Sequence, residues 1–338
     1  MLKNINYNTF VQAWLSTLII LVALIIVVGG LTRLTDSGLS ITEWELFRGI
    51  FPPTNSETWV RYFESYKEIP QYLLINQNMT LSEFKFIFLW EYAHRLFARF
   101  IGIVFLLPFL FLIYMDCLKK KLIIDLSCIF ILILSQGLIG WYMVKSGLTE
   151  NVTVSHYRLA IHLFLAFSIF LSLIWILLNL LNKTKKSFFQ FDFNHFHLKI
   201  LMILLFIQII LGALVSGLDA GKIYQTWPLM NGSYLPDDIS SKEFFNLSQP
   251  SFVQFSHRCV AYIILLFSIY IGFNIFKKKE LFIYKTFILY FLIIIIQVIL
   301  GILVLLSGAN IYLASMHQIS SIFLVVTALN LYYRSIKY

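Results

Sequence analysis

The chain has 338 residues, 59% of them hydrophobic and only 13% charged, with a formal net charge of +9. A soluble globular domain carries roughly 25% charged residues. Folding alone could not hide this much apolar surface from water, so a soluble domain is excluded and an integral membrane protein is expected.

A helix needs about 20 mostly apolar residues to cross the hydrocarbon. Eight stretches qualify: 12–32, 92–115, 122–143, 157–181, 197–217, 254–276, 282–306 and 311–333. The first is kept as a span because its apolar run is too long for a signal peptide and no small-x-small cleavage site follows it. The fold class expected is an all-α polytopic membrane protein, with eight spans arranged as two parallel-related four-helix bundles.

After span 1 comes a long polar segment, residues 33–90. Within it Trp59, Tyr62, Phe63 and Tyr66 fall at helical spacing. They mark an amphipathic helix, resting on the membrane face or packed against the spans. Basic residues then fix orientation: Lys119-Lys120-Lys121, Lys183 with Lys185 and Lys186, Lys277-Lys278-Lys279 with Lys285, and Arg334 with Lys337 in the tail. By the positive-inside rule these connections and both termini face the cytoplasm, and 33–90 and 218–253 lie outside. The positive charge is therefore a topology signal and implies no nucleic-acid partner. Cys117, Cys128 and Cys259 are scattered and form neither a metal spacing nor a disulfide framework.

The chain repeats itself. DSGLSITEW (36–44) matches DAGKIYQTW (219–227), pairing Asp36 with Asp219 and Trp44 with Trp227. EYAHRLFARFIGI (91–103) matches QFSHRCVAYIILL (254–266), QGLIG (136–140) matches QVILG (297–301), and His162 pairs with His317. Residues 1–182 and 183–338 are expected to be two copies of a four-helix unit, running parallel because each holds an even number of spans.

Of seven histidines, His195 and His197 precede span 5 and His156 lies just outside span 4. The other four, His94, His162, His257 and His317, fall one to each even span. All are three to six residues inside spans that enter from the outer side, roughly 5–9 Å below each helix start. One membrane histidine is an ordinary helix–helix hydrogen bonder; four at matched depth in a duplicated frame point to metal ligation. No carboxylate or thiol joins them symmetrically, which disfavours a closed zinc or iron–sulfur site. Two imidazoles from facing helices suit the two axial positions of a porphyrin iron, so two pairs make two heme sites. Arg95 and Arg258 follow a histidine in each half and can either pair with heme propionates or snorkel to headgroups. Gln136, Gln208 and Gln297 each precede a glycine by four residues and suit helix packing or the walls of a porphyrin site.

The halves differ at one position. Glu91 stands three residues before His94, on the same helix face, whereas Gln254 precedes His257. A carboxylate at one site alone suits proton removal or stabilisation of positive charge; a glutamate favoured by the helix dipole explains it equally well.

WEYAHRLFAR with the preceding NMTLSEFKFIF, together with GGLTRLTDSGLSITEW, VSHYRLAIHL, FSHRCVAY and MHQ, resembles the heme A synthase family over most of the chain. The resemblance implies successive hydroxylations that turn the C8 methyl of heme O into the formyl group of heme A, for use in terminal oxidases. It implies substrate heme O between His94 and His162 with Arg95 beside it, heme b on His257 and His317 with Arg258 nearby, and Glu91 and His94 as catalytic residues. Some bacterial members carry a cysteine pair in an outer loop. None is present here, so the chain is similar to the alphaproteobacterial and mitochondrial branch. An electron donor and a heme O synthase are implied as partners, and homo-oligomerisation stays open. Two other readings are a diheme membrane electron-transfer cytochrome, which leaves the Glu91/Gln254 difference unexplained, and a heme exporter or chaperone.

Overall fold

A computed structural model describes residues 7–43, 48–149, 151–189, 196–238 and 245–336. The readings made for Trp44, His195 and Lys337 lie outside the described residues. Among those described there is no strand. The helices are α1 (Tyr7–Leu34), α2 (Ser56–Lys67), α3 (Pro70–Leu74), α4 (Leu81–Tyr114), α5 (Lys120–Gly147), α6 (His156–Leu181), α7 (Phe196–Gly217), α8 (Pro250–Lys277), α9 (Leu281–Leu306) and α10 (Ile311–Ser335). Eight of them, all but α2 and α3, are long and apolar enough to cross a membrane. Large apolar side chains stand exposed along them, as Leu289, Leu292, Ile296 and Ile299 do on α9, which is what lipid contact requires.

By internal packing the chain divides within α1 and within α6. One compact unit is Thr17–Ile169; the other joins the chain up to Ser16 with the chain from Phe170 onward.

The helix ends follow local chemistry. α4 begins at Leu81, eleven residues ahead of the apolar run, because Thr80 and Glu83 form a capping box. The Thr80 N–H donates to Glu83 Oε2 at 2.8 Å, and the Glu83 N–H donates to Thr80 Oγ1 at 3.3 Å. His94 therefore lies more than three turns along its helix, not in its first turn as the apolar run alone suggests. α8 likewise starts earlier, at Pro250, where the fixed proline φ suits a first helical position. Beyond the C-terminal ends of α1 and α7, Asp36 and Asp219 both take φ 51°, in the left-handed region that Asp tolerates better than most residues.

In the first unit the segment between α1 and α4 packs on α4. Phe63 and Tyr66 of α2 are buried, with ring centroids 5.0 and 5.2 Å from Phe84, and Trp59 meets Phe88 at 5.0 Å. Of the two readings of this aromatic stripe, packing against a span is the one observed. Tyr66 also anchors a polar network: its hydroxyl donates to Gln71 Oε1 at 2.9 Å and accepts from Asn76 Nδ2 at 2.8 Å, and Gln71 Nε2 donates to the Asp36 carbonyl at 3.1 Å. Tyr66→Phe leaves Gln71 and Asn76 short of a partner and should destabilise this layer by about 1–3 kcal/mol, measurable as a lower thermal midpoint for the purified protein.

The segments after α1 and after α7 also carry a pH signature. Burial first of all, in both cases, raises the hydroxyl pKa of Tyr66 above its ordinary 10.0 and raises that of Tyr224, where Asp237 and Asp238 add to the effect. The folded state keeps these protons after an unfolded tyrosine has lost its own. Their contribution is whole below about pH 10 and is lost as pH rises through the raised folded values. Alkaline titration of the wild type should therefore loosen these two segments, and Tyr66→Phe should blunt the transition.

Candidate functional site

Each of the four inner histidines rests on a glycine of a neighbouring helix. A Cβ built on Gly29 of α1 would lie 3.0 Å from Cε1 of His94 on α4, and one on Gly140 of α5 would lie 3.1 Å from Cε1 of His162 on α6. In the second unit the same contact joins Gly212 of α7 to His257 of α8 at 3.2 Å and Gly301 of α9 to His317 of α10 at 3.0 Å. Every one of these glycines lies within two turns of the C-terminal end of its helix. A Cβ at any of these positions would crowd the ring, which would have to give by a few tenths of an ångström; glycine lets it approach the backbone freely.

Within each unit the two histidines are near neighbours, His94 with His162 and His257 with His317. In all four, Nδ1 is buried without a hydrogen-bond partner. The other ring nitrogen is engaged in the second unit. Gln208 Nε2 lies 3.2 Å from Nε2 of His257, and Gln297 Nε2 lies 3.3 Å from Nε2 of His317. Second contacts orient both amides. The Gln208 NH₂ also donates to the His257 carbonyl at 3.1 Å, and the Gln297 carbonyl accepts from the Ser320 hydroxyl. In these two rings an N–H donor meets Nε2, which puts the ring proton on Nδ1 and makes Nε2 the nitrogen whose lone pair a metal would take in the amide's place. That is the tautomer a metal takes. No group of three or more metal-ligating side chains occurs among the described residues. Pairs of neutral imidazoles with no third ligand match the axial needs of a porphyrin iron, so the residues present fit a heme.

Glu91 lies on α4 one turn before His94 and is 3% exposed. Donors surround it: the Ser40 hydroxyl and the Ile41 N–H reach Oε2 at 2.7 and 2.9 Å, and Arg95 Nη2 reaches Oε1 at 2.5 Å. Gln254, its counterpart on α8, is equally buried and also accepts from the arginine one turn on, but where Glu91 meets two further donors Gln254 meets two acceptors. Its NH₂ donates to the carbonyls of Ala220 at 2.9 Å and Tyr224 at 3.1 Å. One position has a site built for a carboxylate and the other a site built for an amide.

The arginines are drawn into the same arrangements. Arg95 Nη2 also donates to the Ile41 carbonyl at 3.2 Å, and with Arg99, Glu43, Tyr62 and Tyr92 it lines a small cleft. Arg258 holds the loop after α7, donating to the carbonyls of Tyr224 at 2.9 Å and Thr226 at 3.1 Å and to Gln254 Oε1 at 3.3 Å. Both fasten a loop to the helix that carries a histidine.

Sequence reasoning singled out all four histidines and Glu91 but missed Gly29, Ser40 and Ile41. Gly29 was detectable: it precedes Gly212 by the same 183 residues that separate Asp36 from Asp219. Ser40 and Ile41 act through a loop fold that no local pattern announces. The glutamines, read as packing or walls, turn out to touch the ring nitrogens directly in the second unit.

Residues 12–329 match the COX15-CtaA family, described as cytochrome oxidase assembly protein. Among curated relatives, the heme A synthase of Pelagibacter ubique is 47% identical, covering 98% of this chain and 98% of its own length. The heme A synthase of Bradyrhizobium diazoefficiens is 41% identical over 94% of this chain and 89% of its own, and that of Rickettsia bellii 40% identical over 92% and 94%.

Proposed function

The chain belongs to the heme A synthase family, and from that premise we propose that it oxidises the C8 methyl of heme O to the formyl group of heme A within its N-terminal half. It is a multi-pass bacterial membrane enzyme. The observation that carries the finer reading is the contrast between Glu91, whose Oε2 accepts from Ser40 and Ile41, and Gln254, whose NH₂ donates to the carbonyls of Ala220 and Tyr224. Two symmetric electron-transfer sites would have no use for it.

In this reading His94 and His162 hold the iron of heme O. The substrate's farnesyl tail makes it apolar enough to enter sideways from the bilayer, and Arg95 and Arg99 meet its propionates at the outer cleft. Glu91, fixed by Ser40, Ile41 and Arg95, takes up a proton from, or offsets positive charge at, the carbon being oxidised. His257 and His317 would hold a heme b, with Arg258 steadying the adjacent loop; bound there, that group supplies one-electron chemistry. Residues 1–182 form the substrate half and 183–338 the heme b half. Both termini lie in the cytoplasm and both sites near the periplasmic face. An oxidoreductase acting on a CH group also needs an electron donor, and a heme O synthase is the natural source of substrate.

Co-expression with a source of heme O in a host that makes no heme A tests this. Extracted pigment should contain heme A. Heme O recovered unchanged would overturn the reading and favour a diheme carrier, and unmodified heme appearing outside the cell would favour an exporter.

A further inference from the structure

We propose that Gly29, Gly140, Gly212 and Gly301 are positioning residues, each a seat that fixes one ligand imidazole by close contact with its Cε1 edge. The proposal rests on the reading that the histidine pairs hold heme irons, and it assigns the placement of those rings to the odd-numbered spans.

Three observations carry it. The contact is the same in all four places: one glycine, one imidazole, and the same ring atom at 3.0–3.2 Å from where a Cβ would stand. Next, Nδ1 beside that edge is buried with no hydrogen-bond partner in any of the four rings. A metal-bound histidine is ordinarily oriented by a hydrogen bond from its second nitrogen; here nothing polar does so, and packing against the glycine is what remains to set the ring plane. Finally, glycine is not used indiscriminately. Gly137, one turn from Gly140 on α5, and Gly102, on the helix that carries His94, meet nothing within 4 Å.

The physical consequence has a clear sign. Alanine raises helix propensity relative to glycine, so Gly→Ala within a span should be harmless or favourable unless the added methyl meets something. At the four seats it meets a ring edge closer than ordinary van der Waals contact. A ring without a metal can tilt by a few tenths of an ångström; a ring bonded to an iron is pinned at Nε2 and cannot tilt without straining that bond. The substitution therefore disfavours the loaded state specifically.

The test uses the full chain purified with its heme. Gly212→Ala and Gly301→Ala should retain heme b on the order of tenfold less tightly and alter the low-spin spectrum of what remains. Gly29→Ala and Gly140→Ala should lower heme A formation while the heme b spectrum stays that of the wild type. Gly102→Ala and Gly137→Ala should match the wild type in both. If His317→Ala keeps its heme, the underlying heme reading fails. If His317→Ala loses heme but Gly301→Ala and Gly212→Ala behave like Gly137→Ala, the seats alone are refuted. Failure of both Gly212→Ala and Gly301→Ala to fold would also overturn the proposal, because the glycines would then serve helix packing rather than ring placement.

Discussion

Glu91→Gln should abolish heme A formation while the C-terminal heme stays bound. Glutamine is nearly the same size, so the change tests charge rather than shape. One of its two polar atoms can still accept from Ser40 and Ile41, but the other becomes an N–H₂ facing Arg95, donor against donor. The Glu91–Arg95 pair is 2.5 Å apart and nearly enclosed, with side-chain exposures of 4% and 13%. Breaking a buried pair from one side costs about 3–5 kcal/mol because the remaining charge is uncompensated. Loss of a positioned proton acceptor costs a further 10²–10⁴-fold in rate, as an order of magnitude. Quantifying heme A and heme b in the same pigment extract separates these effects. Vanished heme A with wild-type heme b supports a chemical role. Near-normal heme A would reduce Glu91 to a clamp between α4 and the loop carrying Ser40.

A second substitution should act as strongly from the other half. His317→Ala, or His257→Ala, should strip the C-terminal heme and stop heme A formation even though Glu91, His94 and His162 are untouched. Removing an outer partner of a metal ligand typically costs 10–100-fold in affinity, so removing one of only two ligands should cost more than about 100-fold. The Gln297 amide and the Gly301 surface would be left facing an empty space. His94→Ala and His162→Ala should give the complementary result, heme b retained and no heme A. Pyridine hemochrome content of the four purified variants reads this pattern directly. A uniform loss of heme across all four would show general misfolding and contradict the division of labour.

The fold was largely legible because a bilayer leaves few choices. Apolar runs long enough to span it, and lysines at alternate connections, gave eight helices and their order. Boundaries were less legible where a helix runs out of the apolar stretch into the polar layer: α4 is extended by Thr80 and Glu83, and α8 by Pro250. The histidines and Glu91 were visible because charge and imidazole are costly in a span and because one half of the sequence offers the other for comparison. What lay beyond sequence was tertiary. That Ser40 and Ile41 donate to Glu91 depends on how the loop after Asp36 folds back on α4. That Gln208 and Gln297 reach ring nitrogens depends on the rotation of α7 and α9 about their axes. The arginines show the limit most clearly. Sequence offered propionates or headgroups as partners for Arg95 and Arg258; that both also bind loop carbonyls and the residue one turn before them, Glu91 and Gln254, could not be read from it.

Electron paramagnetic resonance of the ferric protein is the most direct test that the histidine pairs clasp iron tetrapyrroles. Wild type and His162→Ala, prepared without heme O, should share a low-spin signal with two imidazoles on the iron, and His317→Ala should lack it. The same low-spin signal surviving in His257→Ala and His317→Ala would contradict the account, because the iron would then be held somewhere else.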